Sequence, residues 1–135
     1  MMRIMRLGAV FALCPSMAPA LVAQTTREVR LTVDADDEQY RFEPATVRGR
    51  AGDILVFTVV NGGPHSVVFE AGGLTTQARD ALNTAMGRRS ADLSSPLLKD
   101  GEQYRFTVPP LPKGSYPFFC LPHRAYDMRG ELRIE

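Results

Sequence analysis

Alternation between hydrophobic and polar residues dominates the chain and predicts mainly β-strands. In Glu28–Val33 apolar residues occupy every second position, which is typical of a strand with one buried and one exposed face. Ile54–Val60 is almost entirely apolar and rich in β-branched residues, which favours a central strand. The segments with strand patterns cover residues 28–33, 39–42, 54–60, 66–70, 102–108, 115–119 and 130–134. We therefore expect seven or eight strands.

One segment has a helical period instead. In Thr75–Gly87 the apolar residues recur at intervals of three and four, Thr75 or Thr76 can cap the first turn, and Gly87 can end the helix. A single short helix among many short strands, with turns rich in Gly and Pro, is typical of an all-β domain. The predicted fold is a Greek-key β-sandwich of seven or eight strands with one inserted helix around residues 75–87.

The first 23 residues have the pattern of a secretory signal peptide. Two arginines precede the apolar run Leu7–Val22, and small residues lie near its end. We expect cleavage after Ala23 and a single mature domain over residues 24–135. An uncleaved membrane anchor is the alternative, but a 16-residue run is short against the roughly 20 residues that span a bilayer. The prediction is a periplasmic or secreted protein with no membrane insertion after cleavage.

Composition and charge narrow the choice of function. The chain has 135 residues, is 44% hydrophobic, and carries 16 Lys and Arg against 15 Asp and Glu, for a formal net charge of +1. This length fits one domain with its own core. Because no block of like charges is present, nothing favours binding to nucleic acid. We expect a monomer.

The scarce residues are more informative than the common ones. The chain has two His, two Cys and no Trp. Cys14 lies in the predicted signal peptide, so the mature chain keeps Cys120 alone and forms no internal disulfide. A Ser-His-Asp hydrolase, a multi-histidine zinc enzyme and a multicopper oxidase each need other histidine arrangements. A single unpaired thiol in an oxidising compartment is a liability unless it is bound to another group, so Cys120 is expected to have a binding partner.

Three potential metal ligands share the segment Cys120–Met128, which lies between two predicted strands. A thiolate, an imidazole and a thioether are soft or borderline ligands, which suit copper in both oxidation states. The second imidazole, His65, follows the break at the end of the central strand. Two His and one Cys with a weak axial Met form the mononuclear blue-copper electron-transfer site.

With these residues the chain resembles the cupredoxin family, and it is most similar to plastocyanin-like members. Asn61–Phe69 resembles the segment of the family's first histidine, and Gly114–His123 with Met128 and Gly130 resembles its Cys-His-Met loop. The resemblance implies a Greek-key sandwich and one type 1 copper per chain. It also implies four metal ligands, which are His65, Cys120, His123 and Met128.

Two positions depart from the plastocyanin pattern. Ser66 stands where plastocyanins usually have Asn, so the hydrogen bonds around Cys120 are expected to differ and the reduction potential does not transfer. Phe119 stands where the plant proteins have a Tyr used in docking, so the resemblance does not extend to a photosystem partner.

The leading hypothesis is an exported one-electron carrier that cycles between Cu(II) and Cu(I). Its expected partners are transient redox proteins, for example a cytochrome or an oxidase. A periplasmic copper chaperone or storage protein is the first alternative, although such proteins use several exposed Met or His. A zinc-stabilised binding module is the second, although zinc does not need Met128. Since the four ligands leave no open coordination position, we expect no enzymatic activity.

The sequence also suggests where electrons leave. His123 lies among Pro122, Ala125 and Tyr126 in the sequence. We expect these three residues and Pro64 to form a small apolar rim at the loop end of the predicted sandwich. In cupredoxins the corresponding histidine faces solvent. We expect electrons to leave through the edge of His123.

Overall fold

The computed structural model describes residue 14 and residues 16–135. Most of the predicted signal peptide, residues 1–13 and 15, lies outside the described residues. In the part of the chain that is described, no helix has the length and apolar character to cross a membrane.

Residues 16–135 form eight strands in two sheets. The strands are β1 (Thr26–Asp34), β2 (Gln39–Glu43), β3 (Thr46–Gly49), β4 (Ile54–Val59), β5 (Val68–Phe69), β6 (Gln103–Thr107), β7 (Gly114–Phe119) and β8 (Arg129–Ile134). One sheet has the order β2-β1-β4-β6 and the other the order β3-β8-β7-β5. Strands β1 and β4 pair in parallel, as do β3 and β8, and the remaining pairs are antiparallel. The predicted β-sandwich is confirmed.

The structure adds one strand to the sequence prediction and shortens another. Strand β3 was not predicted because Thr46–Gly49 is four residues long and its alternation is too brief to detect; it exists because it pairs with β8. The extended segment predicted at 66–70 is shortened to strand β5, Val68–Phe69, which pairs with β7. Residues before it pair with a different segment, as described below.

The predicted helix is confirmed as α1, Thr76–Ala85. The Thr75 hydroxyl oxygen accepts a hydrogen bond of 3.1 Å from the backbone N–H of Ala78, which satisfies one of the free donors of the first turn. Ala78, Leu82 and Met86 lie on the buried side of the helix and belong to the main hydrophobic core. The insertion is therefore part of the domain and not an appendage.

Five phenylalanines pack in the core between the sheets: Phe42, Phe57, Phe69, Phe106 and Phe118. The ring of Phe118, on β7, lies at the centre of this group, with its centroid 4.8 Å from that of Phe42, 5.5 Å from that of Phe57 and 5.6 Å from that of Phe69. All three contacts are edge-to-face, an arrangement that adds attraction to the burial of apolar area. This packing fixes β7 against the opposite sheet immediately before Cys120.

The chain after α1 returns along the segment that carries His65. Backbone hydrogen bonds join His65 to Leu98 in both directions, at 2.9 and 2.8 Å. Val67 likewise donates to the hydroxyl oxygen of Ser95 and accepts from the Ser95 backbone N–H, both at 2.9 Å. The insertion therefore holds the first histidine segment in place.

Candidate metal centre

The loop between β7 and β8 is closed by its own backbone. The N–H of Cys120 donates to the carbonyl oxygen of Met128 at 3.0 Å, so both ends of the loop lie side by side. Between them, Arg124–Tyr126 forms one turn of 3-10 helix, and Asp127 adopts a left-handed backbone conformation with φ of 57°. This tight loop directs His123 toward Cys120.

His65 lies beyond the turn that follows β4, and its side chain also points toward Cys120. Its Nε2 lies 2.8 Å from the carbonyl oxygen of Asn61. Because a carbonyl oxygen accepts hydrogen bonds and never donates them, Nε2 carries the proton and the Nδ1 lone pair is free. Fixing the tautomer through the second ring nitrogen is the usual way in which proteins prepare a histidine for a metal.

Asn61 is itself anchored to β1. Its side-chain oxygen accepts from the N–H of Val33 at 2.8 Å, and its amide donates to the carbonyl oxygen of Val33 at 3.1 Å. Gly62 follows with φ of +73°, and a Cβ at this position would lie 2.3 Å from Cγ1 of Val33. Glycine is required here both for the left-handed backbone and for the close approach to β1.

The two imidazoles and the thiol converge in the interior. Cys120 Sγ lies 3.6 Å from Nδ1 of His65 and 3.4 Å from Nδ1 of His123, and the three groups lie within 4.8 Å of one another. Bonds of about 2.0–2.3 Å to one metal ion in a trigonal plane would separate such donors by roughly 3.5–4 Å. The two sulfur–nitrogen separations fit a shared metal ion.

Burial sets the protonation of the three groups. It lowers the pKa of His65 below its usual 6.5, against the opposing effects of the Asn61 hydrogen bond and the charge of Asp100. It also lowers the pKa of His123, to which repulsion from His65 contributes. Burial raises the pKa of the Cys120 thiol, while hydrogen bonds oppose that shift. The imidazoles are therefore neutral and ready to bind at neutral pH, and metal binding releases the thiol proton.

Ser66 joins the two segments of the site through its backbone and its side chain. Its N–H points at Cys120 Sγ at 3.4 Å, and its hydroxyl oxygen accepts from the N–H of Leu121 at 3.0 Å. A hydrogen bond to the sulfur stabilises the thiolate and tunes a bound metal. The serine therefore ties the cysteine loop to the first histidine segment, although plastocyanins usually have Asn at this position.

Met128 is joined to two of the other predicted ligands, Cys120 and His123, by backbone hydrogen bonds. It is fully buried, and its N–H donates to the carbonyl oxygen of His123 at 3.4 Å. The structure therefore brings the side chains of His65, Cys120 and His123 together and places the backbone of Met128 beside Cys120 and His123. That Met128 and the other three bind the metal remains a prediction.

One residue that touches the site was not predicted from the sequence. Tyr40, on β2, stacks on His123 with centroids 3.8 Å apart and planes at 15°. Its ring also lies 4.9 Å from that of Tyr126. Nothing in the local pattern around Tyr40 indicates this contact, because it depends on how β2 is placed against the loop.

The surface near Cys120 is covered by a charged side chain. The Arg124 guanidinium lies 4.2 Å above the centre of the Phe119 ring, a cation–π arrangement. Phe119 is only 6% exposed. Phe119 is therefore a packed side chain, and Arg124 separates its ring from solvent.

A buried thiol between two neutral imidazoles, at one end of an eight-stranded sandwich, defines the class of type 1 copper proteins. The donor set suits copper because it combines a soft sulfur with borderline nitrogens.

Comparisons with known proteins agree with this class. The family model described as copper binding proteins, plastocyanin/azurin family, matches residues 29–135. Chloroplastic plastocyanin of Pisum sativum is 30% identical over 123 residues, which cover 91% of this chain and 68% of the relative. Plastocyanin of Lactuca sativa is 33% identical over 93 residues, which cover 69% of this chain and 86% of the relative.

A solved structure extends the likeness to the fold. A mutant plastocyanin of fern, determined in oxidized and reduced forms, matches 81% of this chain and 100% of its own with a TM-score of 0.62 and 25% identity. The chain belongs to the plastocyanin/azurin family of copper binding proteins. Its cofactor is type 1 copper, and the predicted resemblance to plastocyanin-like cupredoxins is confirmed.

Proposed function

We propose that the protein is an exported electron carrier that moves single electrons between transient redox partners. The observation that carries this proposal is the convergence of Nδ1 of His65, Sγ of Cys120 and Nδ1 of His123 on one buried point. Copper, when bound there, supplies the one-electron couple between Cu(II) and Cu(I). Membership of a family that includes plastocyanins supports the role.

The protein's own contribution is to hold the proposed ligands still. His65 is fixed by Asn61 and by its pairing with Leu98, and Cys120 is fixed by the loop closure to Met128. These anchors belong to different parts of the sandwich, so the donors have little freedom to rearrange when the charge of the metal changes. Small rearrangement favours fast electron transfer.

Burial argues against the copper chaperone or storage alternative. His65 and Cys120 are fully buried and His123 is 9% exposed. A protein that passes copper to another protein needs metal ligands that the recipient can reach. A copper ion that stays bound as a cofactor is instead held by ligands that are shielded from other proteins. The four proposed ligands also leave no position for a substrate, so we propose a carrier and not an enzyme. Residues 1–23 remain, in this proposal, a signal peptide that directs a single domain to the periplasm or the exterior.

We expect the mature chain to bind one copper ion and to turn intensely blue when oxidised. The colour comes from charge transfer between the Cys120 thiolate and Cu(II). Titration of the signal-free protein with Cu(II), followed by absorption spectroscopy and voltammetry, should give a 1:1 endpoint and a reversible one-electron wave. A matched titration with Zn(II) is the control. A colourless protein that retains zinc in preference to copper would refute the proposal.

We further propose that electrons leave through the end of the sandwich that carries His123. Leu121 is 58% exposed and Tyr126 is 51% exposed, so this end presents apolar surface around the histidine. The Cys120 side is less open, because Arg124 covers Phe119. Apolar contact of small area suits brief redox encounters, which bury less than about 1,200 Å².

A negative charge at this end should slow electron self-exchange. Ala125→Glu places a carboxylate on the 3-10 turn that carries Tyr126, and two such copies would repel each other on contact. We expect the self-exchange rate, measured by NMR line broadening, to fall roughly tenfold at low salt and to recover as salt screens the charge. Ala51→Glu adds the same charge in the turn before β4, away from the site, and should change the rate little. Equal slowing by both variants would contradict this exit surface.

A further inference from the structure

We propose that Tyr40 is a positioning residue for His123. Its ring, which comes from the opposite sheet, keeps the imidazole in one orientation, so that Nδ1 stays directed at the Cys120 sulfur. The inference rests on the proposed function, because that function assigns His123 as a metal ligand.

The contacts of Tyr40 place it across both histidines. It stacks face to face on His123 at 3.8 Å between centroids, and its edge-to-face distance to the ring of His65 is 6.2 Å at 68°. Tyr126 covers the next side at 4.9 Å. Within the described residues, Tyr40 is the aromatic side chain in ring contact with both imidazoles.

The position of Tyr40 is fixed by its strand and not by the metal loop. It pairs with Val33 of β1, and Phe42, two residues further along β2, is buried in the core. Side chains two residues apart on a strand share one face, so the buried Phe42 sets the direction of Tyr40. The Tyr40 ring is therefore held in place by β2, and the loop that carries His123 packs against it.

A ring held in this way can orient His123 because the imidazole otherwise rotates easily about its bond to Cβ. Rotation about the bond between Cβ and the ring is broad for histidine, so backbone placement of His123 does not settle where Nδ1 points. A ring stacked at 15° blocks that rotation on one face. Attraction between the electron-rich phenol face and an imidazole made positive by a metal ion acts in the same direction. The hydroxyl group takes no part in this argument, so phenylalanine should serve equally well.

The test compares Tyr40→Leu, which removes the aromatic face, with Tyr40→Phe, which keeps it. In the metal-free native protein, NMR should show contacts between the rings of Tyr40 and His123 and an upfield shift of the His123 ring protons. Both should persist in Tyr40→Phe. In Tyr40→Leu the upfield shift should disappear and the His123 ring signals should broaden.

The copper-loaded protein gives an independent measurement. A Cu(I)-specific chelator should extract the metal about three- to tenfold faster from Tyr40→Leu, the range expected for the loss of one aromatic stack. Extraction from Tyr40→Phe should stay within about twofold of the native rate. Val47→Ala, a core variant on β3 away from the site, is the control for general loss of stability. Tyr126→Leu tests whether any aromatic ring near the loop can orient the His123 imidazole. We expect this variant to leave the His123 ring signals sharp.

The outcomes separate this inference from the proposed function. Unchanged His123 signals and an unchanged extraction rate in Tyr40→Leu would overturn the positioning role. The same acceleration in Val47→Ala, at equal melting temperature, would also overturn it. A native protein that binds no copper and stays colourless would overturn the proposed function, even if the stack were present in the metal-free NMR spectra.

Discussion

Replacing Cys120 with Ser is expected to abolish the blue colour of the oxidised protein. The hydroxyl group is a harder and weaker donor to copper than a thiolate, and the charge-transfer transition loses its donor orbital. The domain should still fold, because the replacement is of similar size and its oxygen can accept the hydrogen bond that Ser66 N–H makes to Sγ. Absorption spectroscopy of the Cu(II)-loaded variant, with circular dichroism to verify folding, measures the effect.

Met128→Leu is the matched control for this experiment. Met128 is buried in the same loop, but a methionine thioether is a weak axial ligand and does not produce the thiolate charge transfer. We expect this variant to remain blue and to change its reduction potential. Retention of intense colour in Cys120→Ser, or its complete loss in Met128→Leu, would contradict the assigned roles.

Gly130→Ala is expected to cause a large loss of stability. A Cβ at this position would lie 2.5 Å from Cε2 of Phe118 and 2.8 Å from the carbonyl oxygen of Ala45. The first contact displaces the ring at the centre of the aromatic core, and the second is with backbone, which has little room to move. Overpacking of this kind costs about 1–3 kcal/mol of the free energy of unfolding, and we expect a value at or above the upper end. Chemical denaturation of the metal-free protein measures it.

Gly72→Ala provides the comparison. Gly72 lies in an exposed turn, a Cβ there meets nothing within 4 Å, and neither Gly72 nor Gly130 has a positive φ. The two substitutions add the same methyl group and differ in the space that receives it. We expect Gly72→Ala to change the free energy of unfolding by less than about 0.5 kcal/mol. Similar losses in both variants would show that close packing at Gly130 is not the cause.

The local pattern of the sequence was sufficient for most of the secondary structure. Strand β1 alternates over enough residues to identify its buried face, and the apolar run of β4 is long enough to mark a central strand. Helix α1 has both an apolar period and a capping threonine at its start. In these elements the local preference and the tertiary environment favour the same conformation, so a short window of sequence is enough to predict the secondary structure.

The candidate ligands were also predictable, for a chemical reason. The mature chain has few soft or borderline side chains, and Cys120, His123 and Met128 fall in one short loop. Their spacing indicated a shared site. It did not indicate how His65 would reach that site, which depends on Asn61, Val33 and Leu98.

Tertiary structure alone decided the features that depend on distant partners. Strand β3 forms because β8 offers it a parallel edge, and β5 is short because the residues before it pair with the segment that follows α1. The stack of Tyr40 on His123 brings together side chains that are far apart in the sequence and whose neighbours give no sign of the contact. The sequence by itself determined which residue types were present for copper and which segments were strands, because those properties are local. The packing of one sheet against the other determined how the donors are oriented and shielded, because orientation is fixed by residues far away in the chain.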